Sequence, residues 1–262
     1  GCVVNLHPEE LLELSDRVIA EPSKIDVAER VCEVLGVESD DVPACSDGEV
    51  VDALGRSRLG VKIQDGCNNF CTYCVIPYTR GRIRSLPPDE MARQAAHLAE
   101  EGYRELVLTG IEIASYGRDL PGKLTLADAV ETVAAAAPQM RLRLGSIEPT
   151  VITEDFCRRA AATGQVCRHF HLSLQSGCDR TLARMNRKYN TAEFLACVER
   201  LRRYFPGCAL TADMITGFPG ETEDDQAQAV AFLERVGFAA VHVFPYSRPV
   251  SYTHLTLPTN PR

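Results

Sequence analysis

Short β-rich runs alternate with helical stretches from residue 61 to residue 247, and this alternation constrains the fold more than any other feature of the sequence. Such alternation is typical of repeated βα units, in which the strands form a parallel sheet and the helices cover it. The pattern predicts six strands, which is too few for a closed barrel of eight. We therefore expect an α/β fold with an open, partial (β/α)6 barrel.

The six strands are predicted from runs rich in β-branched and aromatic residues, at 61–65, 105–110, 141–147, 169–176, 209–218 and 240–247. Five helices are predicted between them, several beginning at a Ser, Thr or Asp cap or at an N1 proline, at 88–101, 124–137, 153–162, 191–204 and 222–236.

Three segments differ in composition. Residues 1–55 contain predicted acidic helices at 9–20 and 26–35 and an acidic loop at 38–47, and we interpret them as the C-terminal remnant of an N-terminal α/β domain plus a linker. Residues 56–248 contain the predicted barrel. Residues 249–262 leave the βα pattern, and their string SYTHLTLPTNPR resembles a translated cloning or sequencing adapter. We expect this last segment to be a non-native tail and give it no functional weight.

Bulk composition limits the class of protein. The chain has 262 residues, of which 45% are hydrophobic and 24% charged, as in ordinary globular domains. Its apolar runs are far shorter than a membrane span, and its first residues carry no signal pattern, so we expect no membrane partner and a cytoplasmic location. Eleven cysteines, an odd number, favour reduced thiols with bound metal over a secreted disulfide framework. The net charge of -8 counts against a nucleic-acid partner.

Three cysteines directly follow the first predicted strand. The string GCNNFCTYC places Cys67, Cys71 and Cys74 close enough together to hold one side of a cuboidal iron–sulfur cluster. Such clusters usually bind four thiolates, so three would leave one iron open to the amino and carboxylate groups of S-adenosylmethionine (SAM). A zinc site or three unrelated buried thiols remain as alternatives, although no second cysteine pair or nearby histidine completes a zinc site.

Polar residues and glycines lie at the carboxyl ends of the predicted strands, where ligands bind in parallel sheets. A polar residue at such an end is often only a helix cap, and a glycine only part of a turn. The candidate cofactor-binding residues are Thr109, Gly110, Glu148, Gln175, Asp213, Gly217, Pro219 and Gly220.

The chain closely resembles the radical SAM methylthiotransferases over nearly the whole of residues 1–248. The resemblance is carried by QDGCNNFCTYCVIPYTRGRIRS, ELVLTGIEIASYG, RLRLGSIEP, HFHLSLQSG, LARMNRKY, DMITGFPGE and VHVFPYS. LTGI followed by SYG, and LGSIEP, resemble the branch that modifies N6-threonylcarbamoyladenosine in tRNA more than the isopentenyladenosine or ribosomal-protein branches.

The resemblance implies a radical SAM barrel that inserts a methylthio group at C2 of the adenine beside the anticodon. It implies SAM, a [4Fe-4S] cluster on Cys67, Cys71 and Cys74, and a second [4Fe-4S] cluster in the full-length protein. In this chain Gly1-Cys2 matches a family Gly-Cys pair, so Cys2 is implied as a ligand of that second cluster. Tyr73 resembles the aromatic residue beside the SAM adenine.

The implied partners are a tRNA anticodon stem-loop and a reductant such as flavodoxin or ferredoxin. The two other ligands of the second cluster and the family's C-terminal RNA-binding domain do not occur in this chain. As given, it should not complete methylthiolation.

Two basic groups are candidates for RNA contact. The first, Arg80, Arg82 and Arg84, follows the cysteine loop, and the second contains Arg184, Arg187 and Lys188. Either group could bind phosphates or be ordinary surface charge. A ribosomal-protein methylthiotransferase and a non-enzymatic, zinc-stabilised binding module remain as alternative functions.

Overall fold

The computed structural model describes residues 58–247 together with residues 30, 31, 33 and 34. These four residues are helical and belong to the helix predicted at 26–35. Cys2, the helix predicted at 9–20 and the tail at 249–262 lie outside the described residues. The chain divides into two units, and every strand and helix from residue 58 onward belongs to the unit Arg56–Pro249.

Strands and helices alternate throughout residues 58–247. The strands are β1 (Arg58–Asp65), β2 (Arg84–Ser85), β3 (Glu105–Gly110), β4 (Arg141–Leu144), β5 (Ser146–Ile147), β6 (His169–Gln175), β7 (Ala209–Thr216) and β8 (Ala240–Pro245). The helices are α1 (Ile76–Arg80), α2 (Pro88–Glu100), α3 (Leu126–Ala136), α4 (Glu154–Ala162), α5 (Asp179–Arg184), α6 (Thr191–Tyr204) and α7 (Glu223–Val236). Short 3-10 turns follow β3 and β5 at Ile113–Ser115 and Pro149–Val151.

The strands form two parallel groups. One group has the order β2-β1-β3-β4 and the other β5-β6-β7-β8. All pairs are parallel except the short antiparallel pair of β1 with β2. The predicted α/β architecture, a curled partial barrel built from βα units, is confirmed. All the carboxyl ends of these parallel strands lie along one edge of each group.

The strand predicted at 141–147 is interrupted at Gly145, which corrects the prediction of one continuous strand. The Gly145 N–H donates to the Leu108 carbonyl of β3 at 2.9 Å, whereas the next residue, Ser146, pairs with His171 of β6. A Cβ at Gly145 would lie 3.2 Å from the Leu108 oxygen, which is a tight contact. Glycine therefore relieves a close contact where the pairing of β4 with β3 ends and the pairing of β5 with β6 begins. β4 also bonds to the residues just before β6, because Leu142 forms a parallel bridge with Val166.

The two faces of the strands have different character. In β6, Phe170, Leu172 and Leu174 are fully buried, while His169 and His171 on the opposite face are half-buried. This alternation follows from the two-residue repeat of a strand. The apolar face packs under the helices, and the polar face remains on the concave side of the sheet.

Capping explains where the long helices begin. At the start of α6, the Asn190 side chain accepts from the Glu193 N–H and the Glu193 carboxylate accepts from the Asn190 N–H, both at 2.9 Å. Thr222 and Asp225 form the same reciprocal pair at α7. These signals are readable from sequence, and the five long helices begin within two residues of their predicted starts. The short elements α1, β2 and α5 were not predicted because they are too brief to show periodicity.

Among the described residues, none of the helices has the length and apolar character needed to cross a membrane.

The buried aromatic residue Phe170 provides a test of the core. Phe170 is fully buried and its ring centroid lies 4.9 Å from that of Phe205, so we expect Phe170→Ala to lower the free energy of unfolding by about 3–5 kcal/mol. The exposed α7 residue Val230 provides the control, because Val230→Ala should change it by less than about 0.5 kcal/mol. Urea unfolding followed by circular dichroism measures both, and equal losses would contradict this assignment of the core.

Candidate functional site

The three predicted cysteine ligands lie in the loop that connects β1 to α1, at the carboxyl end of the first parallel strand. None of Cys67, Cys71 and Cys74 forms a disulfide. Cys67 is buried, and the other two are half-buried. The Cys74 N–H donates to the Cys71 carbonyl at 2.9 Å, so the second and third cysteines share one tight turn. The structure thus brings the triplet to the edge of the sheet where ligands of βα folds bind.

Close backbone contacts fix the start of this loop. The Cys67 N–H donates to the Gly81 carbonyl at 3.1 Å, which brings the segment after α1 against the first cysteine. Gly66 has a φ of +74°, and a Cβ at this position would lie 1.9 Å from the Arg82 carbonyl oxygen. Only glycine fits both the backbone conformation and the space.

The segment after α5 supports the other side of the loop. The Asn186 side-chain amide donates to the carbonyls of Phe70 at 3.0 Å and Asn69 at 3.4 Å. The Thr72 N–H donates to the Met185 carbonyl at 3.2 Å. The loop between the cysteines is therefore held by residues more than a hundred positions later in the chain.

Arg187 is the central side chain of the site. Its Nη1 donates to Cys71 Sγ and to the Tyr73 hydroxyl, both at 3.2 Å, and its Nη2 donates to the Ser173 carbonyl at 3.1 Å. Only 5% of the side chain is exposed. Arg187 was considered from sequence as part of a basic surface group, and its burial excludes that role because it cannot reach a phosphate at the surface.

Glu148 balances this buried charge. Its Oε1 lies 2.9 Å from Arg187 Nη2, and its Oε2 accepts from the Asn69 side chain at 3.1 Å. The Glu148 side chain is 7% exposed, so the pair is shielded from solvent on both sides. A buried pair of this kind is sensitive to the loss of either member, because the remaining charge then has no partner.

A second acid lies near the first cysteine. Burial, with smaller contributions from the neighbouring Glu112, Cys71 and Cys74, raises the pKa of the Cys67 thiol to about 11. Burial also raises the pKa of Glu112, with an added effect of the nearby Glu148 charge. The buried Gln64 positions this acid, since its side-chain oxygen accepts from the Glu112 N–H at 2.8 Å.

The donor set fits a cluster better than a single ion. Thiolates are the usual ligands of iron–sulfur clusters, in which each sulfur binds a different iron. Within residues 58–247, no three His, Cys, Asp or Glu side chains converge as the ligands of one metal ion must. The hydrogen bond from the permanently charged Arg187 to Cys71 also suits an anionic sulfur.

The structure places two candidate cofactor residues on the concave face of the sheet. Gln175 is the last residue of β6, as predicted, and has a φ of +68°. Asp213 was expected at a strand end, but it lies within β7, three residues before the end of that strand. Its Oδ2 is 3.1 Å from His171 Nε2, and His171 Nδ1 lies 2.9 Å from the Thr211 hydroxyl. Asp213 therefore already has a protein partner.

The predicted glycine-containing turn after β7 is closed by internal bonds. Glu221 Oε2 accepts from the N–H groups of Gly217 at 2.6 Å and Phe218 at 3.2 Å. The Pro219 carbonyl accepts from Arg184 at 2.7 Å, and the Gly220 carbonyl from Arg180 at 2.9 Å. These contacts join the turn to α5, so much of its polarity is used within the protein.

Thr109 and Gly110 end β3. Gly110 pairs with Gln64 of β1, and a Cβ at this position would lie 2.7 Å from the Gln64 carbonyl oxygen. Close packing of two strands is therefore sufficient reason for this glycine. Tyr73, which the resemblance predicts beside the SAM adenine, is half-buried beside Arg187 and close to Cys71.

The three predicted RNA-binding arginines have different surroundings. Arg80 and Arg84 lie 3.8 Å and 3.7 Å from the Asp65 carboxylate. Arg82 is exposed, and its guanidinium carbon lies 5.8 Å from the centre of the Phe70 ring. In the described part of the chain, Arg82 has no carboxylate partner.

Several residues of the site were missed at the sequence level. Asn69 and Asn186 hold the cysteine loop through side-chain hydrogen bonds, and Glu112 lies near Cys67 while its carboxylate accepts from the Ala114 N–H. The only sequence signal for the first two was their position inside the segments that carry the family resemblance. Their partners are distant along the chain and cannot be found from local periodicity.

A family model agrees with this geometry. The model of the radical SAM superfamily matches residues 61–233, which include β1, the cysteine loop and the sheet as far as α7. The chain belongs to the radical SAM superfamily. Membership implies a [4Fe-4S] cluster and SAM as cofactors, for which Cys67, Cys71 and Cys74 offer the thiolates.

Curated relatives are similar over much of this chain. The threonylcarbamoyladenosine tRNA methylthiotransferase of Chlamydia pneumoniae is 44% identical over 76% of this chain and 47% of its own length. The Bacillus subtilis enzyme of the same name is 37% identical over 92% of this chain and 51% of its own. A tRNA-2-methylthio-N6-dimethylallyladenosine synthase of Syntrophomonas wolfei is 41% identical over 77% of this chain and 46% of its own. The chain spans about half the length of these relatives.

Solved structures support the fold. A radical SAM methyltransferase of Kitasatospora setae matches with a TM-score of 0.59 and 19% identity over 71% of this chain and 36% of its own. Methylornithine synthase matches with a TM-score of 0.52 and 13% identity over 74% of this chain and 55% of its own. At such low identity the likeness concerns the arrangement of strands and helices alone.

Gly66 provides a first test of the cysteine loop. We expect Gly66→Ala to abolish or strongly reduce iron binding, because the added methyl group collides with the Arg82 carbonyl. Gly122 is a matched control, since its φ is also positive at +84° but a Cβ there meets nothing within 4 Å. Gly122→Ala should cost about 1 kcal/mol of stability and retain iron. The measurement is the iron content per chain after anaerobic reconstitution. Full iron loading of the Gly66→Ala variant would contradict the loop geometry.

The buried ion pair provides a second test. Glu148→Gln and Arg187→Gln should each lower the free energy of unfolding of the cluster-free chain by about 3–5 kcal/mol, because each leaves one buried charge unpaired. The double variant should cost clearly less than the sum. In contrast, the exposed pair of Arg158 and Asp155 should show coupling below about 0.5 kcal/mol. Additive losses at positions 148 and 187 would mean that the two side chains do not interact.

Proposed function

We propose that this chain contains the radical SAM core, residues 56–248, of a tRNA methylthiotransferase that acts on N6-threonylcarbamoyladenosine beside the anticodon. The observation that carries the proposal is the cysteine loop after β1. Its three thiols lie at the carboxyl edge of a parallel sheet, and a buried arginine donates to the sulfur of Cys71. The similarity to two threonylcarbamoyladenosine enzymes supports the choice of substrate.

The proposed chemistry divides between the cofactor and the chain. A [4Fe-4S] cluster bound to Cys67, Cys71 and Cys74 would supply the electron that cleaves SAM reductively to methionine and a 5′-deoxyadenosyl radical. Arg187 places a permanent positive charge against Cys71 Sγ and so stabilises the anionic sulfur. The aromatic side chains of Tyr73 and Tyr189 pack around this guanidinium and limit the access of water.

Glu148 is proposed to lie beside the amino-acid part of SAM, because its buried partner Arg187 donates to the sulfur of Cys71. Since Arg187 and Glu148 are already paired with each other, Arg187 is proposed to position Cys71 rather than to bind SAM itself. Gln175 and Asp213 face the same concave side and are proposed to contact the remainder of SAM, together with Tyr73. The cofactor is also proposed to contact the backbone of Thr109, Gly110, Gly217, Pro219 and Gly220.

Dimethylallyladenosine in tRNA is the alternative substrate. The dimethylallyladenosine synthase of Syntrophomonas wolfei is 41% identical to this chain, between the 44% and 37% of the two threonylcarbamoyladenosine enzymes. We favour threonylcarbamoyladenosine because of the segments LTGI, SYG and LGSIEP. Both modified nucleosides are tRNA adenosines, so the partner class is the same in either case.

The proposal also assigns roles to residues outside the cysteine loop and to partners of the full-length protein. Cys2 would bind a second cluster with cysteines that are not in this chain, and residues 1–55 would end the domain that holds it. Arg80, Arg82 and Arg84 would face the anticodon stem-loop. A small electron carrier such as flavodoxin or ferredoxin would supply electrons. We place the protein in the cytoplasm, where tRNA is available and thiols remain reduced.

The radical core is tested by SAM cleavage. The anaerobically reconstituted chain, reduced with dithionite, should form 5′-deoxyadenosine from SAM, and Cys67→Ala, Cys71→Ala and Cys74→Ala should each abolish this product together with iron binding. Cys208 is the matched control because it is a half-buried free thiol at the amino end of β7, whereas the loop lies at the carboxyl edge of the sheet, so Cys208→Ala should retain both. Retained cleavage in the loop variants would overturn the assignment of the cluster ligands.

Other outcomes separate the remaining functions. Zinc without iron or sulfide after anaerobic purification would favour the zinc-stabilised binding module. The substrate itself requires a full-length enzyme, assayed with anticodon stem-loop RNA that carries threonylcarbamoyladenosine, with RNA that carries dimethylallyladenosine, and with ribosomal protein. Methylthiolation of the first RNA alone is the expected result, and activity on the second RNA or on protein would overturn the proposed substrate.

A further inference from the structure

An exposed aromatic pair lies at the rim of the cysteine loop. Three aromatic side chains of Phe or Tyr are exposed among the described residues, and two of them, Phe70 and Tyr78, contact each other here. Tyr78 is 70% exposed and Phe70 38%. Their ring centroids are 5.7 Å apart with an interplanar angle of 79°, so the rings form a right-angled step open to solvent.

The backbone holds Phe70 in this exposed position. Its φ is +50°, a conformation that is uncommon for a bulky residue and costs roughly 1–3 kcal/mol. The Asn186 side chain stabilises it by donating to the Phe70 carbonyl at 3.0 Å. A ring at this position adds little to the buried core. The ring is therefore exposed and available to a partner at the surface.

Arg82 completes the patch with a positive charge. Its guanidinium carbon lies 5.8 Å from the centre of the Phe70 ring, within the range of a cation–π contact. Arg80 and Arg84 lie near the Asp65 carboxylate, which reduces the charge they present. Within the described residues Arg82 has no such carboxylate, so it is the arginine of this group whose charge remains available to a partner.

The patch is fixed next to the proposed cluster ligands. Phe70 directly precedes Cys71, and the Arg82 backbone packs against Gly66, the neighbour of Cys67. A molecule bound on this patch would therefore have its adjoining part beside the reactive site.

We propose that Phe70, Tyr78 and Arg82 form a stacking platform for an unpaired base of a single-stranded RNA loop, next to the base that undergoes reaction. Aromatic side chains stack on bases of any sequence, and arginine adds both stacking and phosphate contact. The proposal rests on the proposed function and names the surface that recognises the RNA.

Base stacking also explains how a chain with a net charge of -8 can bind RNA. Affinity that comes from neutralised phosphates needs many basic residues and falls steeply with salt, whereas base stacking needs few charges. We therefore expect binding at this platform to show a shallow dependence on salt, close to one phosphate contact.

The absence of tryptophan from the sequence permits a direct optical test. Tyr78→Trp introduces a single tryptophan at the platform, and Val230→Trp introduces one on the exposed surface of α7 as a control. The full chain with its cluster reconstituted is titrated with anticodon stem-loop RNA. We expect saturable quenching of the emission at position 78 and none at position 230. A fully paired RNA of equal length should quench neither.

Affinity provides the second measurement. By fluorescence anisotropy with the labelled stem-loop, Tyr78→Ala should raise Kd about tenfold, while Tyr78→Phe, which keeps the ring, should remain within about twofold. Arg82→Gln should weaken binding, whereas Arg93→Gln removes the same charge from a side chain that is 74% exposed on α2 and should not. Iron content of every variant is measured so that a lost cluster is recognised.

The outcomes are separable. If Tyr78→Ala leaves the Kd for RNA unchanged, and RNA does not quench the tryptophan at position 78, then the platform is overturned. The tRNA partner is unaffected by that result. No RNA binding by the unsubstituted chain, with SAM cleavage intact, would overturn both the platform and the RNA partner in this chain. Emission at position 78 that changes with protein concentration in the absence of RNA would assign the patch to contact with a second copy.

Discussion

One buried guanidinium connects the cysteine loop to the sheet. Arg187 donates to Cys71 Sγ, to the Ser173 carbonyl and to the Tyr73 hydroxyl, and it forms an ion pair with Glu148. A charge removed from water is costly, and these bonds compensate the cost only when all of them are made. The position of the loop, the orientation of Glu148 and the end of β6 are therefore fixed together by a single side chain.

The architecture was largely predictable from sequence because periodicity and capping are local properties. The runs at 105–110 and 191–204 appear as β3 and α6 with their predicted bounds. The break at Gly145 was not predictable in this way. The residues around it, Leu144 and Ser146, both favour a strand, and only their pairing with different neighbours separates β4 from β5.

The site was predictable only in part. Spacing identified the cysteine triplet, and the family resemblance supplied a role for it. Asp213 was placed at a strand end although the predicted strand 209–218 already contained it, and β7 confirms that it lies within the strand. Arg187 was grouped with surface arginines, since its burial results from partners 114 and 116 positions earlier in the chain. Contacts over such distances leave no periodic trace in a single sequence.

The long sequence separation within the site also sets an order of assembly. Cys71 and Arg187 are 116 residues apart, so their hydrogen bond closes a very long loop of chain. Closing a long loop is entropically unfavourable until the intervening strands have paired and shortened the path. We therefore expect the loop of GCNNFCTYC to gain its supporting bonds late in folding, after the sheet has formed as far as β6. A cluster inserted before that stage would meet thiols that are not yet held in place. We therefore expect the cluster to be inserted into the folded chain rather than into the chain during synthesis.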